Sequence, residues 1–100
     1  MKQRKELEEI KKLLKKSKPI LREKFMVKEI GIFGSLVRGE EKNKSDVDVL
    51  VEFHEPIGFF KFLELEEHLE EIVGRKIDLV SKKALKPIIG SYILEEVIFL

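Results

Sequence analysis

Asp46 and Asp48, two residues apart in "SDVDVLVEF", and Asp78, in "KIDLV", are the only aspartates of the chain. Each sits in an apolar, β-branched stretch of the kind that forms strands. With side chains alternating, Val47, Val49, Val51 and Phe53 take one face, and Asp46, Asp48, Leu50 and Glu52 the other. If the two strands are neighbours, all three carboxylates converge on one sheet face. Like charges a few ångströms apart raise one another's pKa and destabilise the fold unless a cation neutralises them. Oxygen-only ligands suit a hard divalent ion, Mg²⁺ or Mn²⁺. The competing structural reading makes Asp46 a turn residue and Asp78 a charge that protects an edge strand.

A second group precedes the pair. Gly34 and Ser35 follow an apolar run, and such a strand-to-loop turn can aim backbone N–H groups and a hydroxyl at phosphate oxygens. Arg38, three residues on, can offer a charge-assisted fork to an anion, or can be a solvated arginine paired with Glu40 or Glu41. The spacing matches neither a Walker A loop nor a dinucleotide fingerprint, because no Gly-Lys-Ser/Thr occurs and Gly31, Gly34 and Gly39 are not set as G-x-G-x-x-G.

Positioning these groups requires elements that the apolar periodicity supplies. Leu7, Ile10 and Leu14 form one stripe of an amphipathic helix over 5–16, and Pro19 begins a second short helix reaching Phe25. Strands are expected over 28–33, 47–53 and 75–80, with Gly31 marking a close approach of a neighbouring element. A polar loop spans 36–45. Phe62, Leu65, Leu69 and Ile72 define a helix from Phe59 to about Val73, ended by Gly74. Pro87 opens a last helix to about 95, weakened by Gly90, before an extended "VIFL" that serves as an edge strand, a core plug or a subunit contact. The fold class is α/β (α+β), a mixed sheet of three or more strands with helices packed on one face.

One hundred residues predict a single domain over 1–100. No stretch approaches the ~20 apolar residues of a membrane span, and the charged N-terminus does not read as a signal peptide, so cytoplasmic residence is expected. Without cysteine, disulfides and thiolate metal sites are excluded. Twenty bases against nineteen acids argue against a general nucleic-acid binder while leaving a small nucleotide possible. High Lys and Glu content with a single Gln and a single Asn resembles the composition of heat-adapted proteins. His54 and His68 have no partner at metal-ligand spacing and read as surface or supporting residues. Tyr92, the only tyrosine, reads as a packing residue of the last helix.

Gly34-Ser35, ten intervening residues, Asp46-x-Asp48, and a strand aspartate thirty residues later together resemble the nucleotidyltransferase superfamily typified by the polymerase β palm. More closely, "FGSLVRGE", "SDVDVLVEF", "PIGFF" and "KIDLV" are similar to minimal nucleotidyltransferases of the MntA type, antitoxins encoded with HEPN-domain toxins. The resemblance implies transfer of AMP from ATP to a hydroxyl, a tyrosine of a HEPN-type toxin, with two Mg²⁺ ions (Mn²⁺ also suitable) and release of pyrophosphate. It implies Asp46, Asp48 and Asp78 as catalytic and metal-binding residues, with Asp78 beside the attacking hydroxyl, and Gly34, Ser35 and Arg38 as nucleotide ligands. Two rival functions stay open: a non-catalytic antitoxin module of the same fold that neutralises its toxin by association, and a transferase acting on a small-molecule hydroxyl.

Overall fold

A computed structural model of the chain describes residues 2–40 and 46–100, and the side chains from Glu6 onward. The second half of the expected polar loop, with Glu41, lies outside the described residues. The elements run α1 (Lys2–Phe25), β1 (Val27–Phe33), α2 (Ser35–Arg38), β2 (Val47–Phe53), α3 (Phe59–Val73), β3 (Ile77–Ser81), a 3₁₀ turn (Lys82–Ala84), α4 (Pro87–Glu96) and β4 (Ile98–Phe99).

The separate helix expected from Pro19 does not exist, because α1 runs unbroken through the proline. Pro19 cannot donate to the carbonyl of Lys15, an interruption that costs a helix interior roughly 3 kcal/mol. The stripe of Ile10 and Leu14 nevertheless continues on the same face into Leu21 and Phe25, all four buried. Burying side chains of that size contributes about 1.5–3 kcal/mol each, enough for the second half of the stripe to offset the proline. Ser17 Oγ donates to the Leu13 carbonyl at 2.9 Å, one turn back along the same helix.

The sheet order is β3-β2-β1-β4, with β1 antiparallel to β2 and β4, and β2 parallel to β3. A parallel pair needs a long crossover, and α3 supplies it. Its apolar stripe buries Leu65 and Leu69. It ends at Gly74, which takes a left-handed φ of 73° and donates its N–H to the Glu70 carbonyl at 2.8 Å. Glu70 Oε2 then accepts the Ile77 N–H at 3.1 Å, tying the end of α3 to the start of β3.

Helices α1 and α3 cover one face of the sheet. Val47, Val49 and Val51 of β2, Ile30 and Ile32 of β1 and Ile77 and Leu79 of β3 meet Ile10, Leu14, Leu21, Phe25, Leu65 and Leu69 there in one core. The opposite face carries the aspartates, as the alternation requires. At its β1 end it is closed over: a Cβ on Gly31 would meet Val97 Cγ2 at 2.6 Å, the Ile98 carbonyl oxygen at 2.9 Å and Phe99 Cδ1 at 3.2 Å. Gly31 is therefore a point of close approach, and the occupant is the end of the chain. "VIFL" forms an edge strand whose Leu100 N–H donates to the Ile30 carbonyl at 3.0 Å. Among the described residues no helix is long and apolar enough to cross a membrane.

Candidate active site

Strand direction alone brings the acidic group to one end of the sheet. β2 and β3 start side by side because they are parallel, and β1 ends where they start because it is antiparallel to β2. Asp48 consequently faces Asp78 in register on one side and Phe33 on the other, with Gly34 directly after Phe33. Asp46 stands exposed just before β2, whose first residue donates its N–H to the Lys76 carbonyl at 2.9 Å. Asp78 is exposed and Asp48 half-buried.

The electrostatics follow. Burial, then the charge of Asp78, a hydrogen bond to Asp78 and the charge of Asp46 push the Asp48 carboxyl up to about 6 from its ordinary 3.8, against a lowering by Arg38.

Gly34 is confined by the same carboxylate. Its φ of 84° and ψ of −157° belong to a region open essentially to glycine alone. A Cβ there would fall on Asp48 Oδ2 and lie 2.8 Å from Asp48 Cγ. The missing side chain is what lets the backbone N–H of Gly34 point out beside the aspartate. Ser35 opens α2, a single turn in which Arg38 N–H donates to the Gly34 carbonyl at 3.1 Å. The first half of the expected loop is therefore helical, ending at Gly39 with φ 73°.

Arg38 is exposed and ion-paired to Glu40, as one of the two readings of the sequence has it, and also to Glu96 of α4. These two carboxylates, Glu40 first, raise its pKa further. Glu96 was not legible as a site residue. Neither were Phe33, Ile89, Tyr92 and Ile93, which with Gly34, Arg38, Asp48 and Glu96 line a cleft of about 300 Å³. Tyr92 is 69% exposed and borders this cleft, so it is not the packing residue the sequence predicts. A larger recess of about 440 Å³ between His54, Pro56 and Lys82 lies at the other ends of β2 and β3, away from the aspartates.

The model for the nucleotidyltransferase domain matches residues 14–100. The chain belongs to that family. Protein adenylyltransferase MntA of Thermococcus cleftensis is 53% identical over 93 residues, which are 93% of this chain and 94% of that one. A solved candidate minimal nucleotidyltransferase superposes with a TM-score of 0.73 at 30% identity, covering 91% of this chain and 95% of the other. A chain in the solved complex of a tri-AMPylated Shewanella oneidensis HEPN toxin with an MNT antitoxin has a TM-score of 0.60 at 20% identity, covering 97% and 70%, which shows the shared fold. The mixed four-stranded sheet with its crossover helix is thus the fold of minimal nucleotidyltransferases.

Family membership raises the question of a metal. Among the described residues no three acidic or imidazole side chains stand close enough together to hold a cation by themselves. The donor chemistry fits a hard ion nonetheless. Mg²⁺ is ordinarily held by one or two carboxylates and completes its octahedron with phosphate oxygens and water, and Asp48 stands in register with Asp78, with Asp46 two residues before it.

Proposed function

We propose that this nucleotidyltransferase moves AMP from ATP to a hydroxyl of a partner protein, a tyrosine of a HEPN-type toxin, and so acts as the antitoxin in the cytoplasm. The observation that carries the reading is the row Gly34–Asp48–Asp78 across one sheet end, with a glycine whose Cβ would fall on the Asp48 carboxyl, itself raised by burial and its acidic neighbours. The MntA relative, called a protein adenylyltransferase and matched along nearly its whole length, supports the group transferred and the class of acceptor. The solved toxin–antitoxin complex supports the partner. So do the apolar side chains left exposed on α3 and α4, Phe59, Phe60, Ile88 and Ile89, which suit an acceptor that arrives on a protein surface.

In this scheme Asp46, Asp48 and Asp78 hold Mg²⁺. When bound, the metal neutralises phosphate charge and favours ionisation of the attacking hydroxyl. The N–H of Gly34, the hydroxyl of Ser35 and the guanidinium of Arg38 hold and orient the phosphates. The acceptor oxygen forms a bond to the α-phosphorus as the bond from that phosphorus to the bridging oxygen breaks. Pyrophosphate leaves, and Asp78 receives the hydroxyl proton.

The test is to incubate the chain with ATP, Mg²⁺ and the helical protein encoded beside it, then weigh that partner. We expect a gain of whole AMP units, lost when Asp46 and Asp48 are both replaced by Asn in a variant whose fold is unchanged by circular dichroism. Undiminished transfer by the variant would remove these carboxylates from the mechanism. Complex formation without any mass change in the parent would instead establish neutralisation by association.

A further inference from the structure

The phosphate cradle already holds an anion from its own chain. Glu96 Oε1 accepts the Gly34 N–H at 2.7 Å, and both Glu96 oxygens accept from Arg38 Nη1 at 3.0 Å. These are the donors that the proposed function assigns to the nucleotide, and a carboxylate offers them the same charged oxygens that a phosphate does. The placement has a topological cause. β4 pairs antiparallel to β1 with Ile98 opposite Ile32, so the register, carried two residues further, sets Glu96 opposite Gly34.

The helix bearing Glu96 is lightly held, although β4 after it is tied to β1 through the Leu100 N–H and the Ile30 carbonyl. Gly90 is the only buried residue of α4, and β4 contributes two residues to the sheet. Ile89, Tyr92 and Ile93 line the cleft between α4 and Asp48 without filling it. Two anions cannot occupy one set of donors, and a triphosphate next to Glu96 would also be repelled by it.

We infer that Glu96 is a built-in competitor of the nucleotide, which binds only as the carboxylate leaves Gly34 and Arg38, making α4 a gate over the site. The affinity of ATP is then reduced by the fraction of molecules in which the gate is closed. A protein surface that engages the exposed side of α4, where Ile88 projects, would shift that fraction and couple partner binding to nucleotide binding. The inference rests on the reading of Gly34 and Arg38 as phosphate ligands, and the experiment separates the two.

Calorimetric titration of the full chain with a non-hydrolysable ATP analogue and Mg²⁺ is carried out on the parent, Glu96→Ala, Glu96→Gln, Arg38→Ala and the Arg38→Ala/Glu96→Ala double variant. Both Glu96 variants are expected to bind at least about fivefold more tightly, the lower end of ordinary coupling between competing contacts. The gain should shrink in the Arg38→Ala background, because the two residues share one interaction. Glu96→Gln keeps the shape of the side chain and decides the matter if the alanine variant melts early. Binding by a Glu96 variant where the parent shows none also supports the gate. If the parent binds and neither variant binds more tightly, the gate is overturned and the nucleotide site stands, with Glu96 serving to position Arg38. If no variant binds, the gate and the phosphate reading fall together.

Discussion

At the scale of residues, Asp48 is the centre of the site because every neighbour bears on it. Burial and the charges of Asp78 and Asp46 raise its carboxyl to about 6, above the ordinary 3.8 that it regains on unfolding. Between those values the folded chain binds more protons than the unfolded one, so stability in metal-free solution falls as pH rises through that window. Asp48→Asn removes the ionising group. We expect urea midpoints of the parent to drop from pH 4 to pH 7, those of Asp48→Asn to stay nearly level, and the variant to be the more stable of the two at pH 7. A parent whose stability rises across this range would contradict the assigned environment. The conflict between stability and charge was legible in the sequence, since alternation sets Asp46 and Asp48 on the face away from the valines. The pairing with Asp78 was conditional on the strands being neighbours, which no local pattern states.

At the scale of elements, residue type and period account for most of what is seen. The valines of β2, the stripe and Gly74 stop of α3, and Pro87 in the first turn of α4 all produce the elements they predict. Pro19 misleads because helix-breaking is a local cost, whereas the burial of Leu21 and Phe25 that offsets it depends on a sheet formed by later residues. Gly31 shows the reverse case, a local anomaly whose explanation lies at the far end of the chain. A methyl group there meets a carbonyl oxygen of β4 as well as side chains. Gly31→Ala should therefore destabilise the fold by about 1–3 kcal/mol, the usual cost of overpacking. It should also loosen β4 selectively, seen as faster amide exchange at Ile98 and Leu100 than in the core of β2. Unchanged exchange there would mean that β4 does not depend on the glycine.

At the scale of the whole molecule, a row of carboxylates beside the proposed phosphate ligands Gly34, Ser35 and Arg38 predicts strong linkage between ligand and stability. At 100 times its dissociation constant a ligand that binds only the folded state adds about 2.7 kcal/mol. Mg²⁺ with ATP should accordingly raise Tm by several degrees in a thermal melt. Mg²⁺ alone should raise it less, because the protein supplies only part of the ion's shell, and the Asp46→Asn/Asp48→Asn variant should not respond to the metal. An equal response of parent and variant would place the ligand elsewhere. By itself the sequence determined three of the strands and the helices that follow Gly58 and Lys86, which face each aspartate takes, and which family the glycine-serine and aspartate motifs resemble, because side-chain period and backbone freedom are properties of neighbouring residues. Only the tertiary structure decided that Asp48 and Asp78 share a register, that Gly34 is held against Asp48, and that Glu96 reaches Gly34 from sixty-two residues away and Arg38 from fifty-eight. Those are consequences of strand order and direction, which settle when the whole core is buried at once.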